Sequence, residues 1–381
     1  MIDFGITPAE FRASWFEKQP RLTKAALRGA PPFAWVELDQ VLHTIEPAPP
    51  IFQLFNDGPL PPERYSDRVA GIGSSRLTLD KRRFYRELGA GATLVVNRFE
   101  SHSMRATRLC AEVARFASAR TIGNAYLSVG GRGTFGRHWD THDVFAIQLL
   151  GRKRWQVFAP TFPLPLGVHT SRDSGHACPA APALDCVLEA GDLLYVPRGF
   201  WHQAIPFAEP SLHFSIGAYA PTVHDYVLWA CARHLPGVLG TRRSLTEAVS
   251  ARDLAEVIES LGDILLADGR RAEYERELAS AERVAPEFQT ELFLAAGPEG
   301  LRDGAVLRLN AGHHWDADAQ EVVVNGAWLR LHPLSRSIVA ALAEAALPIE
   351  ELYARLPREQ PAAVRSAVLE LALHEIVAIE R

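Results

Sequence analysis

The chain has 381 residues, of which 48% are hydrophobic and 22% are charged. This is globular composition, long enough for two or three domains. With 40 basic and 45 acidic residues, the net charge of −5 argues against nucleic-acid binding through a general positive field. No apolar run reaches the roughly 18 residues of a membrane helix, and the N-terminus is unlike a signal peptide. We therefore predict a cytoplasmic protein that does not span a membrane.

The first 120 residues predict helices with one buried strand among them. Apolar residues recur near helical spacing over 8–18 and 103–119. The stretch from 56 to 76 is rich in Gly, Pro and Ser and indicates turns. A short helix, a glycine break and a buried strand over 92–97 are expected after it.

The pattern changes to short strands between residues 121 and 220. The predicted strands cover 124–129, 138–150, 152–158, 186–191, 192–198, 202–207 and 213–219. Gly and Pro separate them at short intervals, which is typical of an antiparallel sandwich or barrel.

The remainder of the chain is predicted to be mainly helical. Residues 222–290 are rich in Ala, Leu, Glu and Arg and predict helices, whereas 291–320 looks like a connection. Asn-Gly at 325–326 favours a type I′ hairpin between two short strands. Three further helices are expected over 335–347, 348–356 and 362–375.

The segment 136–147 carries the most informative pattern. His138 and Asp140 are two residues apart, so on an extended backbone both side chains leave the same face. His202 follows a strand, a proline and a glycine in GDLLYVPRGFWH. Two imidazoles and one carboxylate on one face of a metal make the facial triad of non-haem Fe(II) oxygenases. The H-x-D spacing alone would indicate ordinary hydrogen-bonded polar groups. Because His202 follows in the segment GDLLYVPRGFWH, the combined pattern favours a metal site.

Lys153 is a candidate inward-facing cation. If 150–151 forms a two-residue turn, Lys153 lies opposite Gln148, which shares the parity of His138, although a bulge would reverse this. A cation inside a barrel is costly unless it meets an anion. The alternative is that Lys153 is a solvated member of the basic run 152–154.

These segments resemble the JmjC-type cupin oxygenases, and specifically the ribosomal-oxygenase group of 2-oxoglutarate-dependent protein hydroxylases. The resemblance covers 5–220, in EFRASWFEKQPRL, DGPLPPERY, GATLVVNRFE, NAYLS, HWDTHDVFAIQLLGRKRWQVF and GDLLYVPRGFWHQA. It implies an α+β fold with a mainly β core, a double-stranded β-helix of the cupin or jelly-roll type. The implied cofactors are Fe(II), the cosubstrate 2-oxoglutarate and O2.

The resemblance also implies a domain organisation. Residues 1–220 would form the oxygenase domain, with N-terminal helical elements over 1–120 and the barrel core over 121–220. A helical dimerisation region would follow over 221–290, and a winged-helix-like domain over 291–381. The segment 321–381 has six Arg and eight Glu, so we expect no direct nucleic-acid binding from it.

The resemblance assigns roles residue by residue. His138, Asp140 and His202 match the iron ligands, and Lys153 matches the basic residue that pairs the distal carboxylate of 2-oxoglutarate. Asn124 and Ser215 match polar positions near the cosubstrate. On the substrate side we place Tyr126, His142 and His213, although each is also explained as a packed or hydrogen-bonded core residue.

We therefore predict an Fe(II)- and 2-oxoglutarate-dependent hydroxylase that acts on a protein side chain, Arg or His of a ribosomal protein, as a homodimer. One alternative is the same chemistry on a small molecule or a biosynthetic peptide. Another class is a metal-binding cupin that does not use 2-oxoglutarate, and a third is a non-catalytic interaction protein. Lys153 and Asn124 argue against the second class, which needs no partner for a distal carboxylate.

Overall fold

The computed structural model describes residues 2–28, 32–130, 135–172, 175–246, 251–281, 288–310, 320–324 and 327–380. The chain divides into two units, Met1–Ala220 and Pro221–Arg381. No helix in the described ranges is long and apolar enough to cross a membrane.

The first unit combines four helices with twelve strands in its described part. The helices are α1 (Pro8–Ser14), α2 (Trp35–Thr44), α3 (Lys81–Gly89) and α4 (Met104–Ala117). The strands are β1 (Arg21–Thr23), β2 (Phe52–Phe55), β3 (Ser66–Gly71), β4 (Ser74–Leu79), β5 (Thr93–Val96), β6 (Arg120–Val129), β7 (Asp143–Leu150), β8 (Arg152–Phe158), β9 (Leu184–Glu189), β10 (Leu193–Val196), β11 (Trp201–Pro206) and β12 (Pro210–Tyr219). This is the α+β organisation with a mainly β core that the sequence predicts.

Two antiparallel sheets face each other in this unit. The larger has seven strands in the order β1-β10-β7-β12-β6-β5-β2, and the smaller has three in the order β11-β8-β9. The central pair, β6 and β12, is in register along its length, with Asn124 opposite Ser215 and Tyr126 opposite His213. Polar side chains of the two strands are therefore side by side on one face.

Successive side chains of strand β12 point alternately into the apolar core and into the cavity. Phe214 and Ile216 point into the main apolar core, which also contains residues of α1 and α4. Because successive side chains of a strand leave opposite faces, His213, Ser215 and Gly217 point into the space between the two sheets. The large sheet is thus covered by helices on one face and lines a cavity on the other.

A smaller apolar core fills the other half of the space between the sheets. It is built from side chains of β7, β8, β9 and β10, together with Phe200 just before β11: Val144, Ala146, Trp155, Val157, Leu188, Leu194, Val196 and Phe200. Burial of these side chains holds the two sheets together beside the cavity.

The predicted pairing of Lys153 with Gln148 is wrong. Strands β7 and β8 belong to different sheets, so the turn at Gly151 carries the chain from one sheet to the other. Gly151 has φ +62°, and a Cβ there would lie 2.3 Å from the carbonyl oxygen of Pro210. Lys153 instead pairs with Leu188 and Pro206 in the smaller sheet. It is nevertheless buried, with 1% of its surface exposed.

Other boundaries differ from the prediction in ways that the local sequence explains. The strand predicted from 138 begins only at Asp143, because residues 138–142 form a loop with one isolated bridge. The turn-rich stretch contains the hairpin β3–β4, whose side chains are mostly exposed and therefore lack an apolar alternation. The first helix ends at Ser14, four residues earlier than the pattern indicates.

The second unit has its own helices and strands. Its helices are α5 (Val223–His234), α6 (Ala251–Leu266), α7 (Arg270–Ala281), α8 (Pro333–Glu344), α9 (Ile349–Arg355) and α10 (Pro361–Leu373). Its strands are β13 (Val306–Leu309), β14 (Glu321–Val324), β15 (Ala327–Arg330), β16 (Leu347–Pro348) and β17 (Val377–Glu380). A three-stranded antiparallel sheet has the order β16-β13-β17, and β14 pairs with β15.

The second unit contains a strand that was not predicted, and it contains the two strands predicted on either side of Asn-Gly. Strand β13 lies inside 291–320, so the prediction of a bare connection there is wrong. Its side chains Leu307 and Leu309 are buried in the core of this unit, but four residues are too few to show a strand pattern. The Asn-Gly turn at 325–326 lies outside the described residues, while the strands on either side of it pair as predicted.

Candidate metal centre and its cavity

A cavity of about 320 Å³ lies between the two sheets of the first unit. Its walls come from β6 and β12 on one side and from β8 and β11 on the other, with the loop 135–142 contributing as well. All nine residues that the sequence singles out line it: His138, Asp140, His202, Lys153, Asn124, Ser215, Tyr126, His142 and His213.

Backbone hydrogen bonds hold the two histidine segments together. The His138 amide donates to the carbonyl oxygen of His202 at 3.1 Å, and the His202 amide donates to that of His138 at 2.7 Å. The Gly199 amide donates to the Asp140 carbonyl at 3.0 Å. Gly199 has φ +82°, which is a conformation that favours glycine, and the turn it makes brings β11 under the loop.

Side-chain hydrogen bonds determine which ring nitrogen of each histidine is free. Nδ1 of His138 lies 3.1 Å from the carbonyl oxygen of Gly136, and Nδ1 of His202 lies 3.1 Å from that of Phe200. Because a carbonyl oxygen only accepts, each Nδ1 carries the hydrogen and each Nε2 keeps its lone pair. Nε2 of His202 lies 3.5 Å from Oδ2 of Asp140.

The three side chains are arranged to bind a metal ion. One potential ligand atom from each of His138, Asp140 and His202 lies within 4.8 Å of the other two. Burial, followed by the charge of His138, lowers the pKa of His202 to about 4, so this imidazole is neutral at physiological pH. Burial opposes the charge of Asp140, but the nearby histidines keep its pKa below the ordinary value. A divalent metal requires this combination of neutral imidazole and charged carboxylate.

Lys153 lines the same cavity. Its Nζ donates to the carbonyl oxygen of Tyr126 at 3.2 Å and lies 2.9 Å from Nδ1 of His213. Burial lowers the pKa of Lys153 from 10.5 to about 7. Among the described residues no carboxylate pairs with Lys153, so an anionic ligand would relieve the cost of burying its charge.

Tyr126 and His213 form a stacked pair beside Lys153. Their ring centroids are 4.8 Å apart and their planes are inclined by 7°. Burial, followed by the charge of Asp140, raises the pKa of Tyr126 to about 12. The phenol is therefore protonated at neutral pH and available as a hydrogen-bond donor.

The remaining predicted residues also line the cavity. Ser215 lies on the cavity face of β12, and Oδ1 of Asn124 accepts the Arg98 backbone amide at 3.1 Å. The ring of His142 stacks on that of Tyr219, with centroids 4.6 Å apart. Gly217 leaves space for this stack, since a Cβ at that position would lie 2.6 Å from Cδ2 of His142.

Sequence reasoning missed several cavity residues. Thr93, Ser128, Phe135, Trp155 and Tyr219 also line the cavity. Extending the alternation of β6 and β12 to their ends would have found Ser128 and Tyr219. Trp155 packs between the sheets, and its ring also lies 6.1 Å from that of His202.

The segment that contains the candidate metal centre matches a known protein family. Residues 95–226 match the JmjC domain family, and this range contains all three candidate metal ligands. This match lies within the region that resembles JmjC-type oxygenases in sequence, and it covers about a third of the chain.

Curated relatives of this segment include proteins named ribosomal oxygenase 1 and NO66. Ribosomal oxygenase 1 from Gallus gallus is 43% identical over 99 residues, which are 25% of this chain and 16% of that protein. The "bifunctional lysine-specific demethylase and histidyl-hydroxylase NO66" of Drosophila persimilis is 34% identical over 130 residues, which are 34% of this chain and 19% of that protein. This chain thus spans less than a fifth of the length of either relative.

Among solved structures, the chain is similar to the Escherichia coli ribosomal oxygenase YcfD. One YcfD structure gives a TM-score of 0.60 at 20% identity, covering 100% of this chain and 99% of YcfD. Another, with a TM-score of 0.59, is a complex of YcfD with cobalt and 2-oxoglutarate. At this identity the likeness shows a common fold.

Proposed function

We propose that this protein is an Fe(II)- and 2-oxoglutarate-dependent oxygenase that hydroxylates a protein side chain. The observation that carries the proposal is the combination, in one cavity, of the three converging ligand atoms with a buried lysine that has no carboxylate partner among the described residues. The JmjC match and the relatives named as ribosomal oxygenases support it.

The donor set fits Fe(II). Two imidazoles and one carboxylate, with ligand atoms within 4.8 Å of one another, are the donor set of the facial triad, which leaves positions open for cosubstrate and oxygen. The carbonyls of Gly136 and Phe200 orient the two imidazoles from behind. An Fe(II) ion bound there supplies the activation of O2, coupled to conversion of 2-oxoglutarate to succinate and CO2.

The other cavity residues would bind and orient the cosubstrate. The Lys153 ammonium would pair with the distal carboxylate of 2-oxoglutarate, since a charge-assisted hydrogen bond inside a buried cavity is strong. Asn124 and Ser215 offer an amide and a hydroxyl along the same wall. Trp155 and Phe135 add apolar surface to the cavity wall.

The substrate side is proposed to accept an Arg or His side chain of a ribosomal protein. This rests on relatives that are named ribosomal oxygenases and histidyl-hydroxylases. The stacked rings of His142 and Tyr219 offer a flat aromatic surface to a planar guanidinium or imidazole. The same chemistry on a small molecule or a biosynthetic peptide is the alternative.

The second unit is proposed to provide assembly. Helix α6 leaves Leu254 and Ile258 with 51% and 69% of their surfaces exposed. Four residues apart on a helix, they form one apolar face that a second copy of the chain could cover. The dimerisation region over 221–290, the winged-helix-like domain over 291–381 and the cytoplasmic location stay predictions.

Anaerobic titration with Fe(II) tests the function. With 2-oxoglutarate present, we expect a weak metal-to-ligand charge-transfer band in the visible spectrum. His138→Ala should lower metal affinity more than about 100-fold, since even loss of a supporting partner costs 10- to 100-fold. Lys153→Ala should keep iron binding but lose the band at cosubstrate concentrations that saturate the wild type.

The control is His43→Ala, which removes an exposed histidine of α2 and should behave as wild type. Iron binding without the band in the wild type would contradict the proposal and favour a cupin that does not use 2-oxoglutarate. If the band forms, incubation with ribosomal-protein peptides should add the mass of one oxygen atom to the target. A small-molecule product in place of a modified peptide would favour the alternative substrate class.

A further inference from the structure

The hydrogen bonds of Lys153 leave one donor for a ligand. A protonated lysine has three N–H donors and no acceptor. Two of them are used within the protein, by the carbonyl oxygen of Tyr126 at 3.2 Å and by Nδ1 of His213 at 2.9 Å. Lys153 lines the cavity, so its third donor is available to a carboxylate there.

The hydrogen bond also fixes the state of His213. Because the ammonium cannot accept, Nδ1 of His213 is the acceptor and the ring hydrogen is on Nε2. Burial, followed by the charge of Lys153, keeps the pKa of His213 well below its ordinary value, so the ring stays neutral. The neutral imidazole therefore presents a lone pair to Lys153 whenever the lysine carries its proton.

Neighbouring rings hold the imidazole on two sides. Tyr126 stacks on His213 at 4.8 Å with an interplanar angle of 7°, and Trp155 meets it edge-on at 5.3 Å and 84°. The exposed fraction of His213 is 5%. A ring packed in this way has little rotational freedom, so its Nδ1 is a fixed point to which the flexible lysine side chain can be tied.

A neutral acceptor is chemically suited to this position. An Asp or Glu beside Lys153 would cancel its charge and compete with an incoming carboxylate. The lone pair of His213 holds the ammonium in place and leaves its positive charge uncompensated, so the charge remains available to the ligand.

We propose that His213 is a positioning residue for the cosubstrate, which acts by holding the ammonium of Lys153 so that its free donor faces the distal carboxylate. The inference rests on the proposed function and adds a residue to it. His213 acts through Lys153, without binding the metal.

The test measures the affinity of the protein for 2-oxoglutarate and does not depend on catalytic turnover. The full-length protein is loaded with Mn(II), and 2-oxoglutarate is titrated into it by calorimetry. His213→Phe keeps an aromatic ring for Tyr126 and removes the acceptor, so we expect 2-oxoglutarate affinity to fall roughly tenfold to a hundredfold, as for loss of a hydrogen bond to a charged group. His213→Asn restores an acceptor and should recover most of the affinity.

Mn(II) affinity is the internal control and should be the same in all of these variants. If His213→Phe does not fold, as judged by circular dichroism and Mn(II) binding, His213→Leu takes its place in the same comparison. Equal 2-oxoglutarate affinity in the wild type and the acceptor-deleted variant would overturn the inference alone. A wild-type protein that binds Mn(II) but not 2-oxoglutarate would overturn the proposed function, and the inference with it.

A double-mutant cycle separates positioning from direct contact. In a Lys153→Met background, His213→Phe should change the weak residual affinity by less than about twofold, because the group through which His213 acts is gone. Additive losses would mean that His213 contacts the ligand independently, and the positioning role would be wrong.

Discussion

The two histidines at the candidate metal centre are oriented by the same kind of hydrogen bond. In each, Nδ1 donates to the carbonyl oxygen two residues earlier in the chain, Gly136 for His138 and Phe200 for His202. The H-x-D spacing and the distant second histidine identify the ligands from sequence. The choice of ring nitrogen depends on where these carbonyls point, which the residue types do not reveal.

A buried network lies just beyond the metal-ligand loop. Oδ1 of Asp143 accepts the hydroxyl of Tyr195 at 2.7 Å and the backbone amide of Arg198 at 3.3 Å. Nε of Arg198 in turn donates to Glu17 at 2.8 Å. Burial raises the pKa of Asp143 from 3.8 to about 6, although the two hydrogen bonds favour its charged form.

This raised pKa predicts a pH dependence of stability. A carboxyl that binds its proton more tightly in the folded state stabilises the fold most at low pH, and this contribution is lost as the pH rises from about 4 to about 6. The loss amounts to roughly 3 kcal/mol. In Asp143→Asn the free energy of unfolding should fall less across this range, as measured by urea denaturation at pH 4, 5, 6 and 7.

The matched control is Asp39→Asn, which changes an exposed aspartate of α2 and should keep the wild-type pH profile. Parallel pH profiles for wild type and Asp143→Asn would show that Asp143 ionises normally in the folded protein.

At the scale of secondary structure, strand β12 determines the shape of the cavity. Its alternate residues fill the core and line the cavity, and Gly217 is the one that leaves space for a neighbouring ring. The residue opposite on β7 is Val144, so the backbone at Gly217 is fixed by pairing and cannot move away. The His142–Tyr219 stack therefore depends on the missing side chain.

Replacing that glycine should disturb the stack. In Gly217→Ala the new Cβ would lie 2.6 Å from Cδ2 of His142 and 3.2 Å from Cε2 of Tyr219. We expect a loss of about 1–3 kcal/mol in the free energy of unfolding from overpacking, together with a displaced His142 in a crystal structure. Gly167→Ala, where no atom lies within 4 Å of the new Cβ, is the control. Equal stability of the two variants would mean that the stack can shift freely.

The junction of β7 and β8 departs from its predicted hairpin. Both strands are predicted from short segments separated by Gly and Pro, and both exist. A short glycine turn between them suggests a hairpin, yet Gly151 passes the chain to the opposite sheet. The alternation of one strand says which face is buried; it does not say which strand is its neighbour, because pairing depends on contacts distant in sequence.

At the candidate site, the sequence predicts the residues but not all of their contacts. The ligands and Lys153 are recognisable from residue type and resemblance. The contact of Lys153 with His213 joins β8 to β12 across the cavity and needs the three-dimensional fold. Alternation along β12 predicts which of its side chains face the cavity. It does not predict which of these side chains contacts Lys153.

At the scale of the whole molecule, the two units have separate cores. The main core of the first unit contains no residue beyond Ala218, and the core of the second begins at Leu292, among the residues that the structure describes. Between them in sequence lies α6, whose exposed apolar face is the feature that the proposed dimer explains.

The dimer is tested by placing charges on that face. Leu254→Glu combined with Ile258→Glu should convert a dimer into a monomer at micromolar concentration, because two buried carboxylates would face apolar surface. Mass measurement by light scattering checks this, with metal affinity expected to stay the same. Arg252→Glu adds negative charge on the opposite side of the helix and should remain dimeric. A monomeric wild type would refute the proposed dimer.

The reciprocal backbone hydrogen bonds between His138 and His202 have a consequence for how the metal enters. They close a long loop of chain, so the entropy cost of bringing the ligands together is met by folding and not by metal binding. A zinc finger unfolds when a chelator removes its ion, whereas this arrangement should keep its fold. A site that is folded before the metal binds cannot select its metal through metal-dependent folding. Intrinsic affinities favour copper and zinc over iron, so which metal is bound would be decided by the supply in the cell at the time of loading.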